Sequence, residues 1–269
     1  SIKNKINKKI WKGEDIKENE KILVIKEQGI GDEILYSSMY PDLIKKFPNT
    51  VIETENRLLS LFKRSFKNEQ IFIPFQSEST QIKEINKYDK VLFSGSLGRL
   101  FRNSQNEFPK KSFLNSDTYI KSKLREIINK ISSKPKIGIG WKSKREFYGD
   151  SKSIDLSSMN KILSIKNLTF INLQYGDVEK ELIEFEKKYN NKIFSIEGVD
   201  LFNDFEKISA LLESLDLFIT ISNSTAHLAG ALGVPTWLIK PKKNAKFHYW
   251  NQPDNSTPWY PSIELFSQD

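Results

Sequence analysis

The chain has 269 residues, 38% of them hydrophobic and 28% charged, with a formal net charge of +8; this is the balance of a folded protein and enough chain for two domains of common size. It contains no cysteine, which excludes disulfides, thiolate metal sites and a cysteine nucleophile and fits a reducing compartment. No apolar run approaches the ~20 residues of a membrane span and no signal-peptide pattern opens the sequence, so the expected location is the cytoplasm, with the inner face of the membrane open to so basic a chain.

The first residue is Ser1 rather than Met, which leaves open whether the chain is a piece of a longer protein. After a Lys-rich leader, KILVIK (Lys21 to Lys26) is a short apolar, β-branched run that ends in EQGIGDE. The apolar positions Ile34, Leu35, Met39 and Leu43 then follow at helical spacing, with Pro41 expected to kink that helix or end it. Further strands are expected at Thr50 to Glu55, Gln70 to Pro74 and Lys90 to Leu97, with a helix from Arg57 to Phe66. A polar stretch and a helix from Tyr119 to Ile131 lead to SSKPK, a linker composition that sets a domain boundary near Ser132.

Beyond the linker, strands are expected at Lys136 to Trp141, Leu168 to Tyr175, Lys192 to Ile196, Asp216 to Ser222 and Thr236 to Lys240. Helices alternate with them at Asp155 to Ser164, Val178 to Tyr189, Asp204 to Leu215 and Ser224 to Leu232. The strands are nearly continuous apolar runs, as in a parallel, doubly wound sheet with helices on both faces. In such a fold, ligands sit at the carboxyl ends of strands, where the next helix turns its free N–H groups toward an anion.

ISNSTAHLAGALG is a junction of this kind. Ser222, Asn223, Ser224 and Thr225 crowd hydrogen-bonding groups at one strand end, His227 falls in the first helical turn, and Ala226, Ala229, Gly230 and Gly233 leave room for close approach. It reads as a diphosphate site, although a histidine beside a small-residue helix also serves as a hydrogen-bonded packing residue. In GIGDE, Gly29 and Gly31 allow a sharp turn, and Asp32 can cap the helix, act as a general base, or both. The third glycine of the dinucleotide fingerprint is missing, which disfavours NAD.

The loop WKSKREFYGDSKS carries Lys142, Lys144, Arg145 and Lys152, cations able to neutralise a leaving diphosphate without a metal, or simply a solvated loop. Phe247, Tyr249, Trp250, Trp259 and Tyr260 could stack on a base or sugar, or pack one domain on the other. No metal-ligand spacing, Walker A sequence or nucleophile elbow occurs. The net charge suits nucleic acid, a membrane surface or a small phosphorylated ligand, and equally a solvated basic surface.

Taken together and in order, IWKGEDI, LVIKEQGIGDEILYSSMYPDL, IGIGWKSK, NLQYGD, LFITISNSTAHLAGALGVPTWLI and TPWYPSIELF resemble the bacterial glycosyltransferases often found behind tetratricopeptide repeats, related to the ADP-heptose heptosyltransferases. The resemblance implies a GT-B fold: two Rossmann-like doubly wound parallel-sheet domains facing a cleft, an acceptor-side domain over 1–131 and a nucleotide-sugar-binding domain over 132–250, with a tail, 251–269, that returns to the first. It implies hexosyl or heptosyl transfer, metal-independent and inverting, with no cofactor beyond the nucleotide-diphosphate sugar donor. Asp32 matches the proposed base, His227 and its preceding turn the donor-phosphate site, Lys152 a basic donor contact, and Gln174 a strand end that contacts the nucleotide.

Where many relatives have Asp-Thr before the histidine turn, this chain has Ser222-Asn223. The expected partners are that donor and a glycan, lipid-linked or protein acceptor, and not nucleic acid. Peripheral membrane contact and tetratricopeptide repeats in a segment outside this sequence remain open. The alternatives are a non-catalytic sugar-nucleotide or glycan-binding module of the same fold and a nucleic-acid-binding protein, which would show steep salt dependence.

Overall fold

A computed structural model describes residues 9–77, 85–143, 149–241, 247–250 and 255–267. The chain divides into two compact units, Ser1–Phe108 and Pro109–Asp269.

In the first unit, strands β1 (Ile22–Ile25), β2 (Thr50–Thr54), β3 (Phe72–Pro74) and β4 (Lys90–Phe93) form one parallel sheet in the order β3-β2-β1-β4. β1 is buried at all four positions, which is why its sequence is an unbroken apolar run instead of an alternation. The periodic segment after it forms two helices, α1 (Ile30–Ser37) and α2 (Tyr40–Lys46). The break expected at Pro41 is there: α1 ends at Ser37, and Pro41 lies in the first turn of α2, where its missing N–H has no intrahelical partner to lose. Tyr40 and, from α3 (Leu59–Phe66), Phe62 meet edge-on at 5.9 Å, and both pack on Phe72 of β3. The strand expected to reach Leu97 stops at Phe93, and Ser94–Leu97 is a 3-10 turn.

The second unit holds helices α4 (Thr118–Ile131), α5 (Glu179–Tyr189), α6 (Phe205–Leu212) and α7 (Ser224–Leu232). Its strands are β5 (Lys136–Ile139), β6 (Thr169–Asn172), β7 (Ile193–Phe194), β8 (Leu217–Ile221), β9 (Thr236–Lys240) and β10 (Ile263–Ser267), ordered β10-β9-β8-β5-β6-β7 and parallel throughout. Counted from β5, this is the 3-2-1-4-5-6 order of the dinucleotide-binding folds. The helix expected over 155–164 is a 3-10 turn, Leu156–Met159, followed by one α-turn, Asn160–Leu163.

One expectation about organisation changes. The units part at Phe108, not near Ser132, because α4 packs on α6: Leu124 and Ile128 are buried, and Ser116 hydrogen-bonds Glu213 through its backbone N–H and its hydroxyl. The described part of the tail adds a strand to the second sheet. Ile263 and Leu265 point inward from β10 with Glu264 between them exposed, and the strand pairs with β9 from Ile263↔Thr236 to Ser267↔Lys240. Among the described residues no helix is long and apolar enough to cross a membrane.

Candidate functional site

In each sheet the chain leaves the first strand in one direction and later returns to its other side, so a topological switch point lies between β1 and β4 and another between β5 and β8. Crevices at the carboxyl ends of such strand pairs are where open α/β sheets bind ligands.

In the second unit the switch point is lined by the turn that leads into α7. Asn223 caps this helix, its Oδ1 accepting from Ala226 N at 2.9 Å while its Nδ2 donates to Thr220 Oγ1 at 3.2 Å. Ser222, Asn223, Thr225 and His227 are buried and Ser224 half-buried, so the structure brings these predicted residues together. Ser222 Oγ accepts from Trp250 Nε1 at 3.0 Å, and His227 Nδ1 lies 2.9 Å from Tyr260 Oη. The rings of Tyr249, Trp250 and Tyr260 surround His227 with centroids 4.9, 5.0 and 5.7 Å away. Burial, aided by the charges of Lys152 and His248, pushes the His227 pKa down to about 3, so the imidazole is neutral.

The small residues of α7 serve protein packing more than ligand approach. A Cβ on Gly230 would lie 2.5 Å from Tyr260 Cγ and 2.8 Å from Ile263 Cδ1, and Gly233 ends the helix in the left-handed region at φ +79°.

The predicted cations are placed differently from one another. Lys142 pairs with Glu181 of α5 at 2.7 Å, so its charge is already balanced. Lys152 ends a single helical turn, Gly149–Lys152, and is buried with its Nζ 4.1 Å from the centroid of the Phe247 ring. Lys144 and Arg145 lie outside the described residues. Gln174 Oε1 accepts from Trp141 N and Lys142 N at 2.8 and 2.6 Å, and its Nε2 donates to Tyr175 O at 3.0 Å. Its amide therefore clamps the ends of β5 and β6 together.

Beside this clamp, at the ends of β6 and β7, lies a cavity of about 550 Å³ with Asn172, Asp177, Ser195, Asp200 and Phe202 among its lining residues. The volume is in the range of small-molecule sites. Reading the sequence singled out only Gln174 here. The signal for the rest was a polar residue closing or following an apolar run, Asn172 and Ser195, and an aromatic, Phe202, that is 54% exposed.

In the first unit Asp32 is buried as the third residue of α1, its Oδ2 accepting from Gly29 N at 3.2 Å. Gly29 is the N-cap, so Asp32 supports the helix start from inside rather than capping it. The left-handed residue of this turn is Gln28, at φ 63°, while Gly29 is extended and its added Cβ would meet only Asp32 Oδ2, at 3.6 Å. Tyr36 is pushed up to about 12 by burial and by the nearby Asp32 and Glu27 carboxylates, and Glu27 Oε2 accepts from Gly95 N at 3.2 Å at the end of β4.

Sequence reading missed Glu33. It is buried, accepts from Glu55 N at 2.9 Å, and is pushed up to about 7, chiefly by burial. Among the described residues no three His, Asp or Glu side chains gather as a metal site.

No family model matches the chain. It is 28% identical over 270 residues to protein FlbA of Caulobacter vibrioides, a match covering 95% of this chain and 44% of that protein, so the chain spans less than half of its relative. Among solved structures, it resembles a glycosyl transferase family 9 protein from Veillonella parvula with a TM-score of 0.69 at 9% identity, covering 94% of this chain and 89% of that one. The ADP-heptose lps heptosyltransferase II of E. coli gives 0.58 at 13%, covering 91% and 90%. The E. coli heptosyltransferase WaaC with ADP-2-deoxy-2-fluoro heptose gives 0.54 at 10%, covering 91% and 92%. Likeness at these identities establishes the fold: an α/β architecture of parallel sheets shared with glycosyltransferases of the heptosyltransferase group.

Proposed function

We propose that this protein is a glycosyltransferase that moves a sugar from a nucleotide-diphosphate donor to an acceptor hydroxyl, without a metal and with inversion. The observation that carries the reading is the second sheet: its 3-2-1-4-5-6 order puts a capped helix N-terminus, Asn223 to His227, at the switch point after β8, and a cavity of about 550 Å³ opens on the other side of β5, at the ends of β6 and β7. The cavity takes the nucleoside, and the first turn of α7 takes the diphosphate, with Lys152 supplying positive charge.

In the reaction the acceptor oxygen attacks the anomeric carbon and the bond to the diphosphate breaks. The bonding pair leaves with the phosphate oxygen, stabilised by N–H and hydroxyl donors, and the acceptor proton passes to the carboxylate of Asp32. The acceptor is a glycan, lipid-linked or protein hydroxyl.

A second reading, a sugar-nucleotide or glycan-binding module without transfer, is favoured by one feature. Lys142 is neutralised by Glu181, so it brings no spare charge to a leaving diphosphate. One pair of experiments separates the readings. Nucleoside diphosphates and their sugars, screened by thermal shift, are expected to raise the melting temperature, since they bind only the folded state. Asp32→Asn is expected to keep that shift while lowering transfer by about 10²- to 10⁴-fold. A wild-type protein that binds donors and transfers nothing supports the module, and one that binds no diphosphate overturns both readings.

A further inference from the structure

Residues that follow β9 reach back to the turn at the end of β8 and touch two of its polar side chains. The Trp250 indole N–H can only donate, and it lies 3.0 Å from Ser222 Oγ. That contact fills an acceptor position of the hydroxyl and leaves the Ser222 proton to be given elsewhere. Tyr260 Oη lies 2.9 Å from His227 Nδ1. A phenol that donates to Nδ1 leaves the proton of the neutral ring on Nε2, the tautomer that free imidazole side chains also favour.

Both aromatic groups are held firmly. Tyr260 is fully buried, its ring fills the gap opposite Gly230, where a Cβ would lie 2.5 Å from Cγ, and it stacks on Phe113 at 6.3 Å. β10 begins three residues later and ties the segment to β9. Trp250 is buried against the His227 ring at 5.0 Å.

We propose that Trp250 and Tyr260 are positioning residues that set the hydrogen-bond polarity of the α7 turn, so that Ser222 O–H and His227 Nε2–H both face a bound diphosphate as donors. The inference rests on the donor site proposed above. It gives the Trp259-Tyr260-Pro261-Ser262 segment a task beyond packing: a neutral histidine cannot attract an anion by charge, so it is useful there only in the tautomer that donates. Lys152 then supplies charge, and the turn supplies direction.

The first measurement needs no ligand. In ¹⁵N spectra of the wild-type chain, with the His227 signals identified by their loss in His227→Gln, Nδ1 is expected to appear as the unprotonated nitrogen and Nε2 as the protonated one. A proton on Nδ1 overturns the proposal. Tyr260→Phe, which keeps the ring in its gap, is expected to give a mixture of tautomers; an unchanged tautomer would remove Tyr260 from the role.

The second measurement is calorimetric binding of ADP, UDP and GDP beside the matching nucleosides. Tyr260→Phe and Trp250→Phe are each expected to lower diphosphate affinity by about 10-fold, the scale of one hydrogen bond to a charged group, with nucleoside affinity unchanged. A purely structural role would weaken both ligands alike. If the wild type binds diphosphates and both variants bind them equally well, the positioning role is refuted while the donor site stands. If the wild type binds none of the three, the donor-site reading fails, and the inference with it, whatever the tautomer.

Discussion

Replacing Glu33 with glutamine tests the electrostatics of the first unit. A carboxyl with an ordinary value of 4.5 that is pushed up to about 7 by burial holds its proton more tightly folded than unfolded. The stability this contributes is fully present below about 4.5 and is lost as pH rises through 7. At 1.36 kcal/mol per tenfold change in proton affinity, the difference between the two ends of that window is about 3 kcal/mol. Glutamine has the shape of the protonated acid and can still accept from Glu55 N, which the wild-type Oε1 does at 2.9 Å. The variant should therefore match the wild type near pH 4 and exceed it by about 3 kcal/mol at pH 8. Because the chain has two compact units, one global melting curve would mix them. Hydrogen exchange of the β1 and β2 amides reads the first unit alone. A stability difference that stays flat from pH 4 to 8, or that grows toward acid, refutes the reasoning.

The second unit should respond to pH in the opposite sense. His227 is depressed from 6.5 to about 3, so its contribution is present above 6.5 and is lost by about 1.4 kcal/mol per pH unit as pH falls toward 3; exchange of the β8 amides should show this slope and His227→Gln should remove it. Gly230→Ala places a Cβ 2.5 Å from Tyr260 Cγ and should cost about 1–3 kcal/mol by overpacking; chemical denaturation that finds it neutral would mean that the Tyr260 ring is not seated there. A chelator such as EDTA should leave the transfer rate unchanged, and a loss restored by added metal would contradict the metal-free mechanism.

Much of the second unit could be read directly from the chain. α7 and β9 occupy the predicted residues, Ser224–Leu232 and Thr236–Lys240, because an Asn cap, a left-handed Gly233 and a β-branched apolar run are local signals that tertiary packing did not override. The helical periodicity of Ile34, Leu35, Met39 and Leu43 runs across two helices, and the break expected at Pro41 falls just before it, because proline is excluded from a helix interior but is welcome in a first turn. β10 escaped notice because five residues with two inward apolar positions, Ile263 and Leu265, differ little from a loop until a neighbouring strand supplies the partner.

The clearest contrast is between residue types and their hydrogen-bond partners. By itself the chain determined that Ser222, Asn223, Thr225 and His227 would gather at a strand end, since they are consecutive or one helical turn apart. Only the tertiary structure decided that Lys142 is paired with Glu181, that Gln174 clamps two strand ends, that Glu33 is buried next to Asp32, and that Tyr260 meets His227 from 33 positions away. The physical reason is range. Capping and periodicity act within a turn or two of chain, whereas burial, charge neutralisation and the tautomer of a histidine depend on groups that only the packed sheet brings within 3 Å.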